Sequence, residues 1–308
     1  MGGSGGGGSG RPVYSLAELH NLSSSETDRA EYETAINSIL QDALTDYNNR
    51  DTTAIRQHLN TIEQAISQQI EGAVQLLFGG SIKKWTYVNG LSDVDMLVCL
   101  NNTSLANKTP QEVMQYFENS LRRRLPRTEI SSGNLAVTVK FSDGHEIQLL
   151  PAVKTATGFK ISKPGENRWS NVVSPQRFAR KLTEVNQRLS GKVVPVIKLV
   201  KAMNQKLAQN SRLSGYHIES LAIEAFKSYN GNQSYREMIQ HFWQTSQSKV
   251  LNPITDSTGQ SRHVDDYLGS ANSDVRQRVR NSIARINRKL TSADSKNSVE
   301  TWEESLEP

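Results

Sequence analysis

The chain has one cysteine, Cys99, among its 308 residues, so no disulfide can form within it and its stability must come from packing. That usage suits a reducing compartment, and the expectation is a cytoplasmic protein. No stretch approaches the roughly 18 uninterrupted apolar residues of a membrane span, and no signal peptide is visible, so no membrane association is expected. Histidines and cysteines at zinc-module spacing are also lacking. The hydrophobic share, 36%, is low, and much of the dilution traces to the two ends. Residues 1–12 open with Met1-Gly-Gly-Ser-Gly-Gly-Gly-Gly-Ser-Gly10, the composition of a flexible linker or fusion scar, and are set aside from fold reasoning. Residues 292–308 are polar and acidic and read as a mobile tail.

What is present points to a phosphate-bearing ligand. The formal net charge of +5 suits a polyanion, with nucleotides and nucleic acid both fitting that description. The chain then offers Gly79-Gly80-Ser81 and, shortly after, Ser92-Asp93-Val94-Asp95. Glycines allow a sharp turn in which backbone N–H groups approach a triphosphate, with the Ser81 hydroxyl as a further donor. Side chains alternate along a strand, so Asp93 and Asp95 project the same way while Val94 and Met96 face the interior. The acidic pair opens the apolar run Met96-Leu-Val-Cys-Leu100, where burying two carboxylates without cations would be costly. Paired carboxylates are the hard oxygen ligands that two Mg²⁺ or Mn²⁺ ions require. Together these features read as a metal-dependent nucleotidyltransferase.

Apolar spacing predicts helices over Ala30–Tyr47 and Thr53–Phe78, the second delivering the Gly-Gly-Ser turn. A further helix is predicted from Pro110 to Leu125, capped by Thr109. Thr128–Ile130, Leu135–Phe141 and Glu146–Leu150 read as strands, the last two joined by a turn at Ser142-Asp-Gly144. Helices follow over Pro175–Leu189, Val194–Gln209, Tyr216–Ser228, Ser234–Ser246 and Val275–Leu290. The last carries Arg276, Arg278, Arg280, Arg285 and Arg288 around an apolar face, most simply a solvated amphipathic helix.

Three segments carry a family resemblance: Gly79 through Asp95; Val139-Lys-Phe-Ser-Asp-Gly-His-Glu146-Ile-Gln148-Leu-Leu-Pro-Ala152; and Val196-Ile-Lys198-Leu-Val-Lys201-Ala-Met-Asn204 followed by Ser214-Gly-Tyr216-His-Ile-Glu219. They resemble the DNA polymerase β-like nucleotidyltransferases, and within them the bacterial cGAS/DncV-like enzymes, or CD-NTases. The resemblance implies an α+β fold, with a small mixed sheet and flanking helices over residues 13–155 and a helical lobe over 156–291, the active site lying in the cleft between them. It implies condensation of nucleoside triphosphates, ATP among them, into a cyclic di- or trinucleotide that acts on a separate effector in anti-phage defence. The missing zinc module fits an enzyme needing no nucleic-acid activator.

Residue by residue, the resemblance assigns Asp93 and Asp95 to the metals and Gly80 and Ser81 to the triphosphate. The family's third acid usually sits where this chain has Gln148. Glu146, two residues earlier on the same strand face, is the candidate third carboxylate; the alternatives are that Gln148 disarms the enzyme or that two aspartates suffice. Lys198 and Lys201 lie one helical turn apart and by spacing alone read as solvated lysines, whereas the resemblance places Lys201 on the donor phosphates, with Lys198 second. Ser214 is a phosphate donor or an ordinary N-cap, and Tyr216 a base-stacking or packing residue. Gly215 stands where relatives commonly have serine, and His217 reads as structural. Asn252–Tyr267 is a candidate base-specificity region. Two other functions remain open: a transferase that extends RNA or modifies another substrate, and a nucleotide-binding sensor without catalysis.

Overall fold

The computed structural model describes residues 16–48, 52–67, 75–78, 94–133, 135–163, 166–255 and 264–306. Two helices come first, α1 (Leu16–Asn48) and α2 (Thr52–Ser67), then strands β1 (Gln75–Phe78) and β2 (Val94–Cys99). Helix α3 (Pro110–Arg124) precedes β3 (Glu129–Ser132), β4 (Val137–Lys140), β5 (Glu146–Lys154) and β6 (Phe159–Ile161). The rest is helical: α4 (Pro175–Arg188), α5 (Val193–Gln205), α6 (Gly215–Phe226), α7 (Tyr235–Lys249), α8 (Asp274–Ser295) and α9 (Val299–Leu306).

The sheet runs β1-β2-β5-β4-β3, with β6 added to β5. Only the central pair β2 and β5 is parallel; the other described pairings are antiparallel. Central placement explains why β2 reads as a continuous apolar run rather than an alternating one: Met96 through Leu100 are all buried. Met96 and Val98 join Ile147, Leu149, Val137 and Val139 in a core covered by Ile62 and Ile66 of α2 and Val113 and Phe117 of α3. On the other face Leu97, Cys99, Ala152 and Phe159 form a smaller cluster. Helix α3 starts as its sequence predicts, with a capping box between Thr109 and Glu112 and Pro110 in the first turn. The β4–β5 turn needs Gly144, whose φ of 90° is open to glycine at no steric cost.

Three expectations are corrected. Helix α2 ends at Ser67, and Gln75–Phe78 is a strand pairing antiparallel with β2, not the last turns of a helix. The Gly79-Gly80-Ser81 turn itself lies outside the described residues. The C-terminal segment is no mobile tail: α8 runs to Ser295, and α9 buries Trp302 completely. Trp302 Nε1 donates to the Tyr32 hydroxyl at 3.0 Å, and that hydroxyl donates to Asp294 Oδ1 at 2.8 Å. Finally, α1 precedes the sheet in sequence but packs Tyr32, Ile36, Leu40 and Leu44 into the core of the helical lobe.

Among the described residues no helix is long and apolar enough to cross a membrane.

Candidate active site

The sheet carries one group of candidate residues. Parallel pairing sets Asp95 opposite Gln148 and Val94 opposite Ile147, while antiparallel pairing sets Lys140 opposite Glu146. The period of two along β5 places Glu146 and Gln148 on the face of Leu150 and Ala152, away from α2 and α3. In β2 the same period assigns position 95 to the face of positions 97 and 99. Three chemistry-bearing positions, 95, 146 and 148, therefore gather at the start of the two central strands. Glu146 is half-buried, and among the described residues its carboxylate takes part in no hydrogen bond or ion pair. Gly80, Ser81 and Asp93 lie outside the described residues.

The helices carry a second group of candidate residues. Lys198 and Lys201 of α5 are both buried, which overturns the reading of solvated lysines. Lys198 Nζ donates to Asn48 Oδ1 at the end of α1. Lys201 Nζ lies 3.0 Å from Glu219 Oε1 of α6, with the carboxylate side chain 1% exposed. The sequence reading gave Glu219 no role, although a signal was present. An acid in Tyr216-His-Ile-Glu-Ser-Leu-Ala-Ile-Glu-Ala-Phe226, flanked by Ile218, Leu221 and Ala222, sits on the buried side of its helix and needs a cation. A Cβ at position 215 would meet that lysine in ordinary contact, 3.5 Å from Lys201 Nζ.

Ser214 is the N-cap of α6, its hydroxyl accepting from the His217 backbone N–H at 3.2 Å. Tyr216 packs its ring on Phe178, centroids 4.9 Å apart. His217 is fully buried as the structural reading expects. Burial chiefly, with the nearby Arg276 charge, pushes its pKa down to about 4 against the opposing pull of Asp265. Its Nδ1 lies 2.8 Å from the hydroxyl of Tyr267, which also accepts from the Ser214 N–H at 3.0 Å. Tyr267 is otherwise exposed, so an aromatic ring is held at the α6 N-terminus by its hydroxyl.

Arg276 secures the segment carrying Tyr267. It is not part of a solvated face but wholly buried, pairing through Nη1 with Asp265 Oδ2 at 2.7 Å. It also donates to the carbonyls of Val250 at 2.9 Å, Asn252 at 3.2 Å, Gly269 at 3.0 Å and Ser270 at 3.1 Å. A planar guanidinium with five donors suits such a junction of chain segments. Residues 256–263 of the candidate specificity region lie outside the described residues.

A small mixed sheet with flanking helices, beside a helical lobe, matches the fold of the DncV-like nucleotidyltransferases. Residues 30–186 match the Second Messenger Oligonucleotide or Dinucleotide Synthetase domain (SMODS). The chain belongs to that family, and so to the CD-NTases that make cyclic oligonucleotides. Solved structures share the fold at low identity. CdnC of E. coli MS115-1 with ATP superposes with a TM-score of 0.63 at 14% identity, covering 90% of this chain and 99% of that one. CdnG of Bradyrhizobium diazoefficiens in complex with GTP gives 0.64 at 11%, covering 87% and 97%. DncV, the Vibrio cholerae cyclic AMP-GMP synthase in complex with the linear intermediate 5′ pppA(3′,5′)pG, gives 0.61 at 11%, covering 96% and 91%. A comparison with curated protein sequences found no match.

Proposed function

We propose that this chain joins nucleoside triphosphates through successive phosphodiester bonds, releases pyrophosphate at each step, and closes a cyclic di- or trinucleotide. The observation that supports the reading best is the strand register, which sets Asp95 beside Gln148 with Glu146 two positions away on the same strand face. Asp93, Asp95 and Glu146 would hold two divalent cations, Mg²⁺ or Mn²⁺; this donor set is all oxygen, and the Glu146 carboxylate has no competing partner among the described residues. Such ions, when bound, neutralise phosphate charge and lower the pKa of a bound hydroxyl.

The chain's own groups do the rest. A ribose hydroxyl attacks the α-phosphorus of a second triphosphate; a P–O bond forms, the bond to pyrophosphate breaks, and the hydroxyl proton passes to Glu146 or to water. Gly80 and Ser81 orient the triphosphate. Lys201 offsets charge on the leaving pyrophosphate, and Glu219 fixes the ammonium in place between substrates. Ser214, at a helix N-terminus, offers further anion-binding capacity, and Tyr216 borders the base. The cyclic product would act on a separate effector in a bacterial cytoplasmic anti-phage response, with no nucleic-acid activator.

A second reading follows from Gln148. An amide at the position beside Asp95 is a poor Mg²⁺ ligand, and a protein so disarmed would bind triphosphates without turnover. Pyrophosphate release from mixed nucleoside triphosphates with Mg²⁺ or Mn²⁺ separates the two. Release that disappears in Asp93→Ala/Asp95→Ala supports the enzyme, and triphosphate binding without release supports the sensor.

A further inference from the structure

On the sheet face opposite Glu146 and Gln148, a second cluster of ligating groups comes together from distant parts of the chain. His58 projects from α2 and stacks on Phe141, ring centroids 3.7 Å apart and nearly parallel at 18°. Its Nε2 lies 2.6 Å from Asp143 Oδ2 in the β4–β5 turn. His145, just after that turn, brings Nδ1 to 3.2 Å from the other oxygen, Asp143 Oδ1. One donor atom from each of the three residues lies within 4.8 Å of the others.

We propose that His58, Asp143 and His145 bind a zinc-class transition-metal ion that clasps α2 to the β4–β5 turn. Two imidazole nitrogens with one carboxylate form a borderline donor set that selects Zn²⁺, Co²⁺ or Ni²⁺ and disfavours Mg²⁺. Ligands about 2.0–2.2 Å from a tetrahedral ion lie about 3.3 Å from one another, against the 2.6 Å and 3.2 Å that separate the Asp143 oxygens from the two imidazole nitrogens. His145 Nδ1 is buried and faces Asp143 Oδ1 at 3.2 Å without meeting hydrogen-bond geometry, a contact that coordination to a shared ion would satisfy. The histidine side chains are 19% and 17% exposed and Asp143 42% exposed, so the cluster is open to an ion from the Asp143 side.

The site has a consequence for its neighbour. Position 145 shares the face of the α2-covered core, whereas position 146 faces the other way. An ion held there fixes the turn from which β5, and with it Glu146, begins. Neither site borrows a ligand from the other, so the two metals are separable by chemistry.

The probe is Co²⁺, added to the chelator-stripped full chain with excess Mg²⁺ present to occupy hard-oxygen sites. One equivalent with the visible absorption of a four-coordinate nitrogen-oxygen site, displaced by Zn²⁺, is expected. The same result is expected in Asp93→Asn/Asp95→Asn. His58→Gln and His145→Gln, with fold verified by circular dichroism, are each expected to weaken binding at least about 100-fold, the upper end of what even indirect changes around metal sites cost. The proposal is overturned if no stoichiometric Co²⁺ binds. Equal affinity in the histidine variants, or loss of binding in the aspartate variant, overturns it as well.

Discussion

Lys201 of α5 and Glu219 of α6 face each other at 3.0 Å with side chains only 7% and 1% exposed. A charge pair so far from water is held by geometry, and removing one member takes a buried counter-charge away from the other. Glu219→Gln is expected to lower unfolding free energy by about 3–5 kcal/mol in urea titrations. The double variant Lys201→Met/Glu219→Gln should regain much of that stability, because no buried charge is stranded, while losing triphosphate affinity. Full triphosphate binding in the double variant would contradict the role given to Lys201.

Glu146 and Gln148 divide the two readings of the site. If Glu146 is the third carboxylate, Glu146→Gln lowers kcat at least about 100-fold, the scale of losing a proton acceptor at the reacting hydroxyl. Gln148→Asp then has a smaller effect. A large gain in Gln148→Asp, with Glu146→Gln unchanged, would move the third ligand to position 148. Steady-state pyrophosphate release measures both.

His217 couples the helical group to pH. Its pKa in the folded protein is depressed to about 4, below the ordinary value of about 6.5. The unfolded chain therefore takes up the proton first as pH falls. Stability from the neutral buried ring is fully present above pH about 6.5 and is lost as pH drops toward about 4, by about 3 kcal/mol. Urea midpoints at pH 7 and 4.5 should fall less in His217→Gln than in the wild type. Parallel slopes would contradict the assignment.

Trp302 is the anchor of the C-terminal helix, fully buried and hydrogen-bonded to Tyr32. Trp302→Ala is expected to cost about 3–5 kcal/mol through cavity formation. The loss reads directly as a lowered urea midpoint. A change of a few tenths would mean that α9 contributes little.

The sequence disclosed most of the sheet and nearly every C-terminal helix, because turn residues and apolar periods coincided there. Ser142-Asp-Gly144, the Thr109–Pro110 cap and the apolar β2 run are local signals that tertiary context reinforces. It misled where a local pattern had two solutions. Ile62, Ile66, Ile70, Val74 and Leu77 fall at helical spacing, yet Gln75–Phe78 pairs with β2, since a short apolar run suits a strand as well. An acidic, polar terminus concealed Trp302, whose burial depends on α1 from the other end of the chain. Arg276 looked like one arginine among several, and only the fold showed it enclosed with Asp265. The His58–Asp143 contact spans 85 residues, beyond any motif spacing. The Lys201–Glu219 pairing required two helices to be placed side by side.

The most direct measurement is product analysis. The chain is incubated with labelled ATP, GTP, CTP and UTP plus Mg²⁺ or Mn²⁺, treated with phosphatase, and the products are identified by mass spectrometry. A phosphatase-resistant cyclic oligonucleotide, absent with Asp93→Ala/Asp95→Ala, is the expected result and identifies the bases joined. Linear or transferred products, or triphosphate binding with no product in the wild type, would contradict the cyclase assignment.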